Sequence, residues 1–411
     1  MANQTAWTNV KKKLYPPLEK DLTVDVCVVG GGLTGIVACY LLARQGKSVA
    51  VLEQNEIGSD ATAQTTAFIT YSLDTDLIDL TSMFGRDNAR LIWMSHKDAI
   101  NQIADIVSQE SIDCEFTRCS NIIFARTEKE FGGFKKEFDL ASGLGFEAEL
   151  KQDHNLGFGQ AGYLEVLNQA KFHPLKYLYR LAERAELLGA KIFEKSKVNS
   201  VESDGTIITR TDKATVRSTD VIIATYDPFN QPKETRLKKG MYNSYVFEVE
   251  ISKGQIREAT YEDTDNPYHY FRVDKGDNYD RMLVGGEDHR AEIKMSEDKN
   301  FKALEQFLRD IAGNRYKIVK RWVGPILEPS DGIALIGRYR DHQYVAAAFS
   351  GNGMTYAHIA GQLICDEITN HANPYVRIYD PTRVPKLRSL VKKGKDYTGE
   401  LLGGAVKNLF K

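Results

Sequence analysis

The chain has 411 residues, 42% of them hydrophobic and 27% charged, with a formal net charge of −2. That length supports two packed domains with a sizeable core, and a near-neutral balance of charge excludes bulk nucleic-acid binding. Five cysteines (Cys27, Cys39, Cys114, Cys119 and Cys365) without a Cys-x-x-Cys pair exclude a zinc site or disulfide scaffold and point to the reducing cytoplasm, and no run reaches the ~18 apolar residues of an integral membrane segment.

In chain order, the first twenty residues carry a basic cluster with no apolar stretch behind it, so no secretory signal is expected. Val26 to Val29 then form a short apolar run suited to a buried parallel strand. Gly30, Gly32 and Gly35 follow as G-x-G-x-x-G. The first glycine permits a tight turn, the second lets backbone approach a pyrophosphate, and the third lets the next helix pack on the strand. That helix starts at Leu33-Thr34, runs to Gln45 and is closed by Gly46. Its N-terminus offers free N–H groups and a partial positive charge to phosphates. A second strand, Ser48 to Leu52, ends in Glu53-Gln54, where an acid can accept hydrogen bonds from ribose hydroxyls and repel a 2′-phosphate. Strand, glycines, helix, strand and acid in this order predict a bound dinucleotide.

Two further segments favour FAD over NAD. Asp60 to Thr70 (DATAQTTAFIT) is rich in small and hydroxyl residues and can run along a flavin with little steric cost. Near the other end, a strand over Tyr344–Phe349 leads through Ser350-Gly351-Asn352-Gly353-Met354-Thr355 into a helix to Ile368. This second glycine turn aims a helix N-terminus at the electron-rich side of a reduced flavin. A single G-x-G-x-x-G leaves no second Rossmann unit for NAD(P)H, so electrons must come from the substrate itself.

At these residues the sequence resembles the D-amino-acid oxidase superfamily of FAD-dependent oxidoreductases, which includes glycine and sarcosine oxidases. The resemblance spans nearly the whole chain: Gly30 to Glu53, Thr65-Thr66-Ala67, Phe172-His173-Pro174, Val221-Ile222-Ile223-Ala224-Thr225 with Phe229, Arg321-Trp322 through Asp331 to Gly337, and Ser350 to Thr355. Gly285 to His289 (GGEDH) is similar to a bacterial subgroup often fused to a Rieske domain, and the chain to Lys411 carries no Rieske ligand pattern, so a member without that electron acceptor is expected. The resemblance implies an α/β, two-domain fold: a Rossmann-type FAD-binding domain (1–95, 163–235 and 323–382) interleaved with an antiparallel-sheet substrate domain (96–162 and 236–322). The basic tail, 383–411, is read as a surface helix on the body. The FAD set implied is Gly30, Gly32, Leu33, Thr34, Gly35, Glu53, Gln54, Thr65, Thr66, Ala67, Val198 (backbone at the adenine), Ala224, Thr225, Asp331 and Gly351 to Thr355.

Departures from the family pattern bear on the substrate. Gln64 stands where the subgroup often has His, Phe68 where it often has Lys, and Ile326 and Gly351 where relatives anchor a substrate carboxylate. A free α-amino acid therefore loses its usual handles, and no cysteine in the glycine turn is available for a covalent flavin. For the chemistry, Tyr268, Tyr270 and Arg272 share one face of a strand, with Arg272 a candidate anion anchor or a structural arginine, while His269 points the other way. Asp288-His289 ends a strand as a proton-relay pair or a turn cap. His173 reads as a helix cap, Trp322 as core and His358 as structural. The expected activity is FAD-dependent oxidation of a small amine or amino-acid-like donor by hydride transfer to flavin N5. The electron acceptor is left among oxygen, a quinone and a carrier protein, no metal is expected, and the alternative is a flavin-bearing electron-transfer partner without small-molecule turnover.

Overall fold

A computed structural model describes residues 5–153, 155–227, 239–293 and 295–384; Phe229 and the basic tail from 385 onward lie outside the described residues. Strand β1 (Leu22–Val29), helix α1 (Leu33–Arg44) and strand β2 (Val49–Leu52) take the order read from the fingerprint. Val26 and Val28 pack into one core while Cys27 and Val29 pack into another on the opposite face. A strand buried on both sides needs a continuous apolar run, which is why alternation is missing here.

The chain then makes α2 (Ala61–Gln64), β3 (Phe68–Ile69), α3 (Leu77–Phe84), α4 (Arg86–Gln109), β4 (Thr117–Ala125), α5 (Glu128–Gly143), β5 (Ala148–Lys151) and β6 (Gly162–Lys171). Helix α5 begins with a capping box, the Thr127 side chain accepting from the Glu130 N–H while the Glu130 side chain accepts from the Thr127 N–H. Helix α6 (Pro174–Leu187) starts with proline, and His173 caps it by accepting the Lys176 N–H on Nδ1 at 3.2 Å. Strands β7 (Lys191–Phe193), β8 (Val198–Ser203), β9 (Ile207–Thr211) and β10 (Thr215–Ile223) follow, β8 and β9 as a hairpin across Asp204-Gly205. The second half holds β11 (Lys239–Ile251), β12 (Thr260–Glu262), β13 (His269–Asp274), β14 (Asp280–Arg290), α7 (Glu297–Ala312), β15 (Tyr316–Pro329), β16 (Leu335–Arg340), β17 (Gln343–Ala347), α8 (Gly353–Ile368) and α9 (Val376–Tyr379).

Two sheets organise these elements. The first runs β16-β17-β10-β1-β2-β7, parallel except at β16, with β9 and β8 continuing from β10. Helices α1, α4, α6 and α8 supply the apolar core on one of its faces, and α1 is buried almost all round. The second sheet runs β15-β11-β14-β13-β12-β4-β6-β3 and is antiparallel apart from β12 on β4. It packs its far face on α7, whose Phe301, Leu304, Phe307, Leu308 and Ile311 form one buried stripe. Strands β3 and β6, from segments expected in the cofactor domain, belong to this second sheet. The carboxyl ends of β1, β2 and β10 therefore open toward the second sheet, where ligands of open parallel sheets sit.

Candidate active site

A cavity of about 650 Å³ lies between the two sheets. At its first end Gly30 has φ +111°, and a Cβ there would stand 2.4 Å from the Ala224 carbonyl oxygen, so only glycine passes between β1 and β10. A Cβ on Gly35 would meet the Gly30 oxygen at 2.0 Å, so that glycine serves helix-on-strand packing and does not touch the cavity. Gly32 differs: the nearest atom to a Cβ is Thr62 Oγ1 at 3.5 Å, and the residue lines the cavity. It begins α1 with no side chain of its own; Thr62 Oγ1 accepts the Leu33 N–H at 3.1 Å, and Leu33 and Thr34 line the cavity beside it. Glu53 Oε2 accepts the Gly31 N–H at 2.7 Å and Oε1 accepts the Asn55 N–H at 2.7 Å. Burial raises its carboxyl pKa. Gln54, Lys197 and Val198 line the cavity with it.

The other end of the chain reaches the same cavity. Thr65, Thr66, Ala224 and Thr225 line it, and so do Gly351, Asn352, Gly353 and Met354, contributed from some 300 residues downstream of the Gly30 turn. The Gly351 N–H donates to Asp74 Oδ2 at 2.8 Å, which pins the turn. Asn352 begins α8 with no side-chain cap, and a Cβ on Gly353 would find nothing within 4 Å, so the space before this helix belongs to the cavity.

Besides Gly35, three expected cofactor residues stand behind the wall. Ala67 is fully buried at φ +58° and serves the turn before β3. Thr355 Oγ1 bonds His96 Nδ1 at 2.7 Å inside the helix layer. Asp331 forms a two-pronged ion pair with Arg383, both contacts 2.8 Å.

The second sheet closes the cavity over the glycines. Tyr268 and Tyr270 face it as expected, with Ser244, Glu262, Asp74, Phe68, Gln64, Ile326 and Phe349. Ser244 Oγ and Tyr270 Oη lie 2.9 Å apart. Two expected chemical residues do not face it. Arg272 is 1% exposed and its guanidinium is consumed by Asp274 Oδ1 and by the carbonyls of Thr66, Ala67 and Phe172 at 3.0–3.1 Å. Strand alternation put it on the correct side, but the backbone of residues 66–67 lies between it and the cavity. His289 stacks on Tyr245 and pairs with Asn300, toward α7. Its neighbour Asp288 points the other way, beside Ser244, and burial pushes its pKa up to about 7. Glu262 accepts from the Asn121 amide at 3.1 Å, and burial followed by the charge of Asp74 pushes it up to about 8. Sequence reading missed Asp74, Ser244 and Glu262. No motif marks them, and Asp74 gains its place through a partner 277 residues away.

Trp322 and His358 are internal, as expected: Trp322 is 2% exposed, and His358 bonds Tyr177 and Gln102. Asp263, Asp265 and His269 bring possible ligand atoms within 4.8 Å of one another. His269 spends both ring nitrogens on Asp263 and Glu287, and Arg126 pairs with Asp265, so the group neutralises itself.

The cavity fits a dinucleotide on two counts. Glycines from both chain ends leave room that a side chain would fill, and two helix N-termini whose own N-cap residues make no side-chain cap border it, placing positive dipole ends where phosphate and reduced flavin carry negative charge. Residues 25–367 match the protein-family model described as FAD dependent oxidoreductase. A Bacillus subtilis protein named as a Rieske 2Fe-2S iron–sulfur protein, YhfW, is 28% identical over 98% of this chain and 81% of its own length. The gamma-glutamylputrescine oxidoreductase of Escherichia coli is 25% identical over 88% of this chain and 87% of its own. The crystal structure of glycine oxidase from Geobacillus kaustophilus shares the fold with a TM-score of 0.75 at 18% identity, covering 88% of this chain and 99% of that one. No helix among the described residues is long and apolar enough to cross a membrane. The chain belongs to the FAD-dependent oxidoreductases of the D-amino-acid oxidase superfamily, an FAD enzyme of the amine- or amino-acid-oxidising type.

Proposed function

We propose that the protein oxidises a small cationic amine that is not held through a carboxylate. The observation that carries this reading is the charge of the cavity wall. Asp74, which pins the Gly351 turn, and Glu262 on β12 face the cavity, with Asp288 behind Ser244, and the one cation among the described lining residues is Lys197, next to Val198 at the dinucleotide end. Ile326 and Gly351, where relatives anchor a carboxylate, both line the wall and carry no charge. An acid-lined, cation-poor wall attracts an ammonium and repels an amino-acid carboxylate. Tyr268 and Tyr270, 5.7 Å apart, add aromatic faces suited to an alkylammonium.

FAD supplies the hydride acceptor, flavin N5, to a donor C–H next to nitrogen. The donor must first lose its ammonium proton. Asp288, brought to about 7 by burial, is the group to take it at physiological pH, while Glu262, at about 8, is largely protonated there and presents a hydrogen-bonding acid. Ser244 and Tyr270 form the hydroxyl bridge beside Asp288. In this reading residues 1–95, 163–235 and 323–382 hold the cofactor, apart from Asp74 and Ile326, which join residues 96–162 and 236–322 around the donor. The gamma-glutamylputrescine oxidoreductase likeness and five free cysteines support an amine donor and a reducing cytoplasm.

The test is anaerobic titration of the oxidised holoprotein with paired donors, each amine beside its α-carboxylated analogue. The amine is expected to bleach the flavin band at least tenfold faster, and Asp74→Asn, which keeps an oxygen for the Gly351 N–H and removes the charge, is expected to raise the amine KM about tenfold, the loss of one near charge pair. Faster bleaching by the amino acid of each pair sinks the reading. Reoxidation by oxygen, a soluble quinone or a carrier protein, compared in the same cuvette, identifies the acceptor.

A further inference from the structure

The segment Gln64 to Ala67 carries an unusual set of partners. Four consecutive carbonyl oxygens each accept from a side chain that is nearly or wholly buried: Gln64 from Trp322 Nε1 at 2.8 Å, Thr65 from Trp7 Nε1 at 2.7 Å, and Thr66 and Ala67 from Arg272 Nη1 at 3.0 and 3.1 Å. Gln64, Thr65 and Thr66 line the cavity. Their carbonyls are thus held by donors on the protein side of the segment, and turning any peptide of this stretch means giving up a buried hydrogen bond.

The donors are themselves locked. Arg272 and Arg281 share Asp274, which also accepts from Lys171; burial by itself raises the Asp274 carboxyl, and the three cations together outweigh it and hold the group well below the usual range. The Trp7 ring lies against both guanidiniums, 5.4 Å from Arg272 and 4.9 Å from Arg281, with His173 edge-on at 4.9 Å. Trp7 belongs to the N-terminal arm, residues 5–21, which precedes the family match at 25–367. The arm is tied down farther along: the Tyr15 N–H donates to Glu194 at 3.0 Å, the Leu18 N–H donates to Ser196 at 2.9 Å, and the Lys320 ammonium donates to the Thr5 carbonyl at 3.2 Å.

We propose that Trp7 and Trp322 are positioning residues for the cofactor, two indole N–H groups that hold the flavin-lining segment 64–67 in its binding shape, and that the N-terminal arm is thereby a working part of the FAD site. The site is otherwise assembled from elements within the family span, and this arm adds a clamp from outside it. Trp7→Phe keeps an aromatic ring beside the two arginines and removes the N–H together with part of the buried indole volume, a packing loss that falls on the apo and FAD-bound forms alike. A ring that merely fills space predicts equal falls of the apo and FAD-bound midpoints with an unchanged FAD affinity, whereas a clamp predicts a weaker hold on FAD as well.

The experiment strips FAD from the full-length protein and titrates it back, following flavin fluorescence, with thermal midpoints of the apo- and FAD-bound forms measured in parallel. Trp7→Phe and Trp322→Phe are each expected to raise the FAD Kd about fivefold, the worth of one buried hydrogen bond. Each is also expected to narrow the gap between apo and holo midpoints. Leu14→Ala, in the same arm at a residue 67% exposed, is expected to leave both unchanged. The wild-type titration reports separately on FAD as the occupant. An unchanged Kd in both phenylalanine variants, or equal falls of the apo and holo midpoints, overturns the proposal.

Discussion

Replacing Arg272 separates a structural arginine from a substrate anchor. Its guanidinium makes two hydrogen bonds to Asp274 and three to the carbonyls of Thr66, Ala67 and Phe172, at 1% exposure. Arg272→Met leaves three carbonyls without this donor in a place water does not reach, at about 1 kcal/mol each. It also takes one of three cations from Asp274, which keeps Lys171 and Arg281. Breaking a buried pair outright costs ~3–5 kcal/mol, and the two remaining partners hold this part to the low end or below. The total comes to about 4–6 kcal/mol, a large share of the ~5–15 kcal/mol that holds a typical protein together. Arg272→Lys keeps the charge but loses the fork, so about half that loss is expected. Urea unfolding of the apoprotein, followed by far-ultraviolet circular dichroism, reads the loss without any substrate present. An anchor role predicts the reverse pattern: urea midpoints within ~0.5 kcal/mol of wild type and a tenfold or larger rise in KM for an anionic donor. That pattern would refute the structural argument.

Other outcomes follow from the same geometry. Gly353→Val adds a side chain that meets no protein atom at its Cβ position but enters the cavity, so the apoprotein is expected to keep its urea midpoint within ~0.5 kcal/mol while FAD retention falls at least tenfold; a yellow holoprotein of normal affinity contradicts the cavity assignment. Gly30→Ala forces a Cβ to 2.4 Å from the Ala224 oxygen at φ +111°, and is expected to cost stability even without FAD, by about 2 kcal/mol or more, visible in the same unfolding curve. Burial lowers the His358 pKa from 6.5 to about 3, so the unfolded chain binds a proton there that the folded one refuses, and stability from this group is lost as pH falls below 6.5. Relative to wild type, His358→Gln is therefore expected to gain about 2 kcal/mol between pH 7.5 and pH 5; parallel pH curves for the two proteins exclude a neutral buried histidine.

What the sequence determined by itself is the part of the molecule whose demands are local. The run Val26–Val29, the glycines at 30, 32 and 35 and the acid at 53 belong to one strand–turn–helix–strand unit read in order: a doubly buried strand, a φ that side chains rarely adopt, a helix end, and an acid that accepts the Gly31 N–H. The Ser350–Thr355 turn and the His173-Pro174 helix start are legible for the same reason. Direction along a strand was legible too, since Tyr268 and Tyr270 face the cavity as a two-residue period requires.

Tertiary structure alone decided what each polar side chain does. Arg272 has the side expected of it but meets Asp274 and the 66–67 backbone before any ligand. Asp288 and His289 read as one pair, yet alternation sends the first toward Ser244 and the second against Tyr245. Asp74 acquires its role from Gly351 and Trp7 from Thr65, across 277 and 58 residues. A backbone conformation is set within a few residues, whereas a buried charge or N–H must find a partner wherever the fold brings one, and that choice is made only when the two sheets close on each other.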